Sequence, residues 1–259
     1  MTENEKFRLE CIEEIKQISS DGAMALLTSN WFLAANNHKY SYHFEWLGRP
    51  IIQYPQDIVA MQEIIWRVKP DLIIETGIAR GGSLIFSASM LAQLDLCDAI
   101  ERGGILDPSN SQRKVLGIDI DIRGHNRSAI DSHPMRSWIE MIEGSSIDQN
   151  VIDRVREFAR PFKKVLVCLD SNHTHDHVLA ELNAYASLVS VDSYCVVFDT
   201  IIEDMPDSMF PDRPWGKGNN PKTAVWQYLN EHDQFVIDAD IPAKLQITVA
   251  PDGFLKRIK

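Results

Sequence analysis

The run Leu72-Ile73-Ile74-Glu75-Thr76-Gly77-Ile78-Ala79-Arg80-Gly81-Gly82-Ser83 leaves this chain few folds to choose from. Its apolar half, Asp71 to Glu75, reads as a buried parallel strand. Gly77, Gly81 and Gly82 let the backbone turn tightly and approach a ligand closely. Ser83 is placed to N-cap a helix over Leu84 to Leu94, whose free N–H groups would face that ligand. The spacing G-x-x-x-G-G is not the G-x-G-x-x-G of dinucleotide folds. Glu75, just before the turn, would repel a pyrophosphate but suit a cationic or hydroxyl-bearing ligand. The stretch therefore favours S-adenosylmethionine over NAD, with a purely structural βα turn as the alternative.

The strands that follow carry acids at their carboxyl ends, the edge where open α/β sheets bind ligands. Lys114 to Ile120 ends at Asp119 and Asp121, and a carboxylate there can accept both hydroxyls of a ribose. Trp138 to Ile142 leads through Glu143-Gly144-Ser145-Ser146 into a helix from Ile147 to Ala159, and small polar groups in that turn can bond the edge of an adenine. Lys164 to Leu169 opens into Asp170-Ser171-Asn172-His173-Thr174-His175-Asp176-His177, the densest set of chemical groups in the chain. Asp170 is a hard metal ligand, and Asp170 and His173 are the candidate bases. The three histidines cannot all face one site if a helix runs from His177 to Leu188, so His175 and His177 read as cap or surface groups. Ser193 to Val197 brings Asp199 to the same edge as Asp170, and two carboxylates so placed can share a divalent cation.

At 259 residues and 44% hydrophobic, the chain suffices for one large α/β domain with an N-terminal extension. A net charge of −11 argues against a nucleic-acid surface and for a small-molecule or sugar substrate. Cys11, Cys97, Cys168 and Cys195 lack C-x-x-C spacing and read as packing residues of a reducing compartment. With no apolar leader and no stretch of about 18 apolar residues, a cytoplasmic protein without membrane insertion is expected. Glu3 to Ser19 has the period of an amphipathic helix, which makes a homo-oligomer plausible. The aromatic and polar mixture from Tyr40 to Trp46 suits either a wall over a binding site or an ordinary surface strand. Pro55 to Val68 reads as a helix, Asp204 to Asn220 as a lid, Pro221 as the start of a further helix, and Phe235 to Ile237 and Leu245 to Val249 as two closing strands.

Taken in order, the acid and glycine turn, the acidic strand end, the Gly144-Ser145-Ser146 turn, Asp170-Ser171-Asn172-His173, Asp199-Thr200, Arg213-Pro214-Trp215-Gly216, Asn220-Pro221-Lys222-Thr223-Ala224-Val225 and Asp252-Gly253-Phe254-Leu255 resemble the cephalosporin hydroxylase and rhamnosyl O-methyltransferase family. The likeness runs from about Tyr40 to Ile258. It takes in Trp46-Leu47-Gly48-Arg49-Pro50 and Gln53-Tyr54-Pro55-Gln56-Asp57, whose part the residues alone do not explain.

The resemblance implies a Rossmann-like class I methyltransferase fold. That fold has a seven-stranded, mostly parallel sheet with an antiparallel last strand, helices on both faces, an N-terminal helical extension over residues 1–56 and a methyltransferase domain over residues 57–259. It further implies S-adenosylmethionine at Glu75, Gly77, Gly81, Ser83, Asp119, Gly144, Ser145 and Asp170, and a magnesium-type ion at Asp170 and an acidic pair on the next strand. The chain departs from that pattern in carrying Phe198-Asp199 where two adjacent acids are expected. One ligand is then missing or comes from elsewhere, with Asp204 the candidate. The expected reaction is transfer of a methyl group to a hydroxyl of a sugar, a sugar-bearing natural product or a surface polysaccharide. The alternatives are a non-catalytic cofactor-binding subunit and an oxygenase.

Overall fold

The computed structural model describes residues 1–259. In chain order the elements are α1 (Glu3–Ser19), α2 (Gly22–Asn36), β1 (Phe44–Trp46), β2 (Arg49–Ile51), α3 (Pro55–Val68), β3 (Leu72–Thr76), α4 (Gly82–Arg102), β4 (Lys114–Asp119), α5 (Gly124–Asp131), β5 (Ile139–Glu143), α6 (Gln149–Ala159), β6 (Val165–Leu169), α7 (His175–Tyr185), β7 (Tyr194–Val197), α8 (Pro221–Glu231), β8 (Phe235–Ile237), α9 (Asp240–Leu245) and β9 (Phe254–Arg257).

Strands β3 to β9 form one seven-stranded sheet in the order β5-β4-β3-β6-β7-β9-β8. The first five pair in parallel, and β9 runs antiparallel to both of its neighbours. Strands β3, β6 and β7 are buried at every position because both faces are covered, and Glu75 and Thr76 are the polar residues among them. In β3, Ile73 joins one core with α3 and α4, while Leu72 and Ile74 join the other with α6, α7 and α8. In β6, Leu166 and Cys168 face the first core and Val165, Val167 and Leu169 the second, as a period of two requires. Chain order reverses at β3, with β4 on one side and β6 on the other. The crevice beyond the carboxyl ends of these three strands is the switch point of the sheet.

Several expectations change. Leu245 to Val249 is not a strand: α9 runs through Leu245, and the closing strand is Phe254–Arg257. The side chain of Asp57 holds the intervening segment instead, accepting from the Val249 amide at 3.0 Å and from the Thr248 hydroxyl. Helix α4 extends well past Leu94, and its length and hydropathy would allow it to cross a membrane, which the sequence reading did not expect of any stretch. Half of that span is buried against the sheet. The cysteines are all unpaired, and Cys168 and Cys195 are buried.

Helix α1 lies along α9 with no buried residue of its own, while α2 falls within the expected helical extension without a periodicity that marks it. Asp21 caps α2 by accepting from the Ala23 and Met24 amides. Behind it, Phe32, Leu33, Tyr40 and Tyr54 pack on Met205, Met209 and Phe210 of the expected lid. Trp46 is held in packing, donating to the Ser89 hydroxyl at 2.9 Å and meeting Phe86 edge-on.

Candidate active site

The glycine turn between β3 and α4 is tighter than its spacing suggests. Gly77, Ala79 and Gly81 all have positive φ, at 91°, 47° and 83°. Ala79 pays the side-chain strain of that region, a cost that tends to persist where function requires the shape. Gly81, not Ser83, is the N-cap residue of α4, and no side chain caps the helix. Its first-turn N–H groups are left free. The Ser83 hydroxyl instead donates to Glu75, a carboxylate 4% exposed. Burial raises the Glu75 pKa to about 7, and the bond from Ser83 only partly opposes this.

Asp119, at the end of β4, braces the turn. One of its oxygens accepts from the Ile78 and Ala79 amides at 2.8 and 3.2 Å, and the other accepts from Asp121 at 3.1 Å. Asp121 itself is exposed beside Arg123. Gly144 donates its amide to the Asp119 carbonyl, which sets Ser145 and Ser146 against the same crevice.

Two chambers open at this edge and share Gly77 as a wall. The first is lined by Asp119, Ile118, Ile120, Ser145, Ser146, Ser171, Asn172 and His177. The second is lined by Pro50, Ile52, Gln53, Asp170 and, from the turn, Ile78, Ala79, Arg80, Gly82 and Ser83. Gly77 has no room for a side chain, since a Cβ there would lie 2.1 Å from the Asp170 carbonyl oxygen.

Beyond the second chamber, Asp170, His173 and Asp199 each offer one donor atom, all within 4.8 Å of one another. The His173 Nε2 is 3.2 Å from an Asp199 oxygen, and the ring meets Trp215 edge-on at 4.7 Å. Arg213 lies over the other ring of this stack, 5.2 Å from the Trp215 centroid. Asp199 adopts φ 56° at the strand end. Burial, and then the charges of Asp199, Glu75, Glu181 and Asp57, hold the Asp170 pKa well above the carboxylate range. Asp57, wholly buried, is raised to about 7 by the same desolvation. No lysine or arginine pairs with Asp57, Glu75, Asp170 or Asp199. A cationic ligand would relieve an anionic pocket of this kind. The Asp170 and Asp199 carboxylates, with His173 beside them, also make a hard oxygen donor pair that fits a divalent ion.

Asp204 does not join that set. It accepts from the buried Lys222 ammonium at 2.5 Å, with Asp252 at 3.8 Å on the same cation. Phe198, where an acid was expected, is buried in the core with Val196 and Tyr194. His175 is bound to Thr223 and Gln227, so the expected divergence of the histidines is observed. His177 is not the surface group expected of it: it lines the first chamber, 3.1 Å from both the Ser146 and Ser171 hydroxyls. Sequence reasoning also assigns no site role to Gln53, Arg49 or Asn126. The only signal for the first two was their place in otherwise unexplained motifs.

The family model described as Rhamnosyl O-methyltransferase/CmcI matches residues 38–258. A rhamnosyl O-methyltransferase of Mycobacterium tuberculosis is 27% identical over 252 residues, covering 94% of this chain and 92% of that protein. The protein of the same name from Mycobacterium leprae is 26% identical over 254 residues, covering 95% of this chain and 100% of the relative. A solved Mg-SAM structure of CmcI superposes with a TM-score of 0.54 at 16% identity, over 84% of this chain and 78% of that one, a likeness of fold.

Proposed function

The chain belongs to the rhamnosyl O-methyltransferase/CmcI family, and from that premise we propose that it is an S-adenosylmethionine-dependent O-methyltransferase acting on a sugar hydroxyl, carried on a natural product or a surface polysaccharide. The observation that carries this reading is the pair of chambers meeting at Gly77. One has the carboxylate of Asp119 and small hydroxyls, which suit a nucleoside. The other has Asp170 and a free helix N-terminus, which suit a zwitterionic amino-acid head. S-adenosylmethionine is a nucleoside joined to such a head through a sulfonium, and its positive charge suits the unpaired acids around it.

In the proposed reaction the acceptor oxygen attacks the sulfonium methyl in line. The new C–O bond forms as the C–S bond breaks, and S-adenosylhomocysteine is the leaving product. His173 takes the hydroxyl proton, and Asp199 at 3.2 Å stabilises the imidazolium that results. Asp170 and Asp199 would hold a divalent ion such as Mg2+, which when bound would lower the pKa of the acceptor hydroxyl. Trp215, stacked edge-on against His173, screens the base from bulk water. Most of the remaining acceleration would come from alignment of the two reactants.

Calorimetric titration with S-adenosylhomocysteine, with and without Mg2+ and with NADH as the control, tests the cofactor. Mass spectrometry of rhamnosides incubated with S-adenosylmethionine tests the acceptor. Binding of the homocysteine product together with a gain of one methyl on the sugar is the expected result. Binding of NADH alone would overturn the reading, and cofactor binding without transfer to any sugar would point to a regulatory subunit.

A further inference from the structure

The segment from Arg49 to Gln53 belongs in sequence to the N-terminal extension, yet it is pressed onto the glycine turn. Gly82 accepts this contact only because it has no side chain: a Cβ there would stand 2.2 Å from the Pro50 carbonyl oxygen. The Arg49 guanidinium donates to the Arg80 carbonyl at 3.1 Å and to the Asn126 side-chain oxygen at 3.1 Å. Asn126, almost fully buried, returns a bond from its Nδ2 to the Ala79 carbonyl at 2.9 Å. Both carbonyls of the strained Ala79-Arg80 step are thus held by side chains from outside the βα unit.

Gln53 is the anomaly of this segment. It is 7% exposed and lines the second chamber with Asp170 and the turn. Its side-chain amide makes no hydrogen bond to the chain. An amide at a cavity wall that is not engaged by the chain is free to bond whatever the cavity takes. Around it, the Asp170 carboxyl offers hydrogen-bond acceptors on one side. Arg80 and the uncapped start of α4 offer positive potential on the other. An ammonium suits the first side and a carboxylate the second, and an amide N–H is a donor that a carboxylate can accept.

We propose that Gln53 is a cofactor-binding residue, its side-chain amide donating to the carboxylate of the methionine half of the methyl donor, and that Arg49 to Gln53 form a clamp without which the donor site is incomplete. The inference rests on the methyl-donor reading and extends it to residues outside the nucleotide-type motif. Gln53 determines how the amino-acid head is seated, and through it where the sulfonium methyl points.

The test is calorimetric titration of wild type and Gln53→Ala with three probes: S-adenosylhomocysteine, its decarboxylated analogue and 5′-methylthioadenosine. A hydrogen bond to a charged group corresponds to a loss of about 10- to 100-fold in affinity. That loss is expected for S-adenosylhomocysteine alone, with the two probes lacking the carboxylate bound equally by both proteins. Arg49→Ala should weaken all three, because it loosens the turn itself. Unchanged affinity of Gln53→Ala for S-adenosylhomocysteine would overturn the proposal. So would an equal loss for all three probes, which would make Gln53 a packing residue. Failure of the wild type to bind S-adenosylhomocysteine would instead remove the donor reading beneath it.

Discussion

Replacing Gly77 by alanine tests whether the glycine turn and the Asp170 loop are parts of one site. At φ +91° an added Cβ would sit 2.1 Å from the Asp170 carbonyl oxygen, 2.6 Å from its carbon and 3.0 Å from the Ser171 Cα. All three atoms are backbone, so no flexible side chain can swing aside. The left-handed conformation costs an L-residue about 1–2 kcal/mol, and forcing a methyl into packed surroundings adds about 1–3 kcal/mol. The sum is about 2–5 kcal/mol, and the strain part can be measured separately. Gly48 has φ +80° with nothing within 4 Å of its Cβ position, so Gly48→Ala carries the strain alone. The difference between the two variants in urea unfolding is then the contact, about 1–3 kcal/mol. The Asp170-Ser171 peptide must also retreat by about 1 Å, a displacement that can lower turnover about 100-fold. If Gly77→Ala unfolds no more readily than Gly48→Ala, or keeps full turnover, the turn and the Asp170 loop are not coupled as described.

His173→Gln should lower methyl transfer by about 10²- to 10⁴-fold while S-adenosylhomocysteine binds as before, and unimpaired transfer would remove His173 as the base. Glu75 is raised from 4.5 to about 7 by burial, so the folded protein keeps a proton that the unfolded chain has lost. Its stabilising effect is complete below the unfolded value and is lost as pH rises through about 7. Relative to Glu75→Gln, wild type should therefore lose about 1–3 kcal/mol between about pH 5 and pH 8, and urea unfolding at both pH values that showed a constant difference would contradict the assignment. Asp204→Asn should cost about 1 kcal/mol, since Asp204 is half-exposed while Lys222 is buried. Its titration with Mn2+ should match wild type, and a lost ion site would return Asp204 to the metal ligands.

The central strands were legible because burial on both faces leaves an uninterrupted apolar run. Their acids were legible because a charge directly after such a run has to stand at the sheet edge, as Asp119 and Asp170 do. Helix α2 was hidden for the opposite reason. Its apolar residues are not confined to one stripe, and several, including Leu26 and Leu27, are exposed. Ser83 has a capping residue's chemistry, but the positive φ of Gly81 starts the helix earlier, at a position where a Cβ would stand 2.6 Å from Ile130. Likewise, nothing in the spacing from Gln53 to Asp170 reveals a shared chamber. That juxtaposition is created by the hairpin of β1 and β2 docking on α4, and His177 reaches its chamber only because α7 begins two residues earlier than its pattern suggests.

The interposition of β9 between β7 and β8 has a consequence for biosynthesis. The crevice of β3, β4 and β6 consists of segments that leave the ribosome well before β9 does, whereas β8 emerges with no neighbour to pair with until β9 arrives. A nascent chain can therefore have its ligand crevice while one edge of β7 and both edges of β8 still present open hydrogen-bonding groups. That interval is when the chain is most exposed to wrong pairing with other molecules. Ligand captured early could not close those edges, so aggregation during expression should track the arrival of the last strand rather than the supply of cofactor.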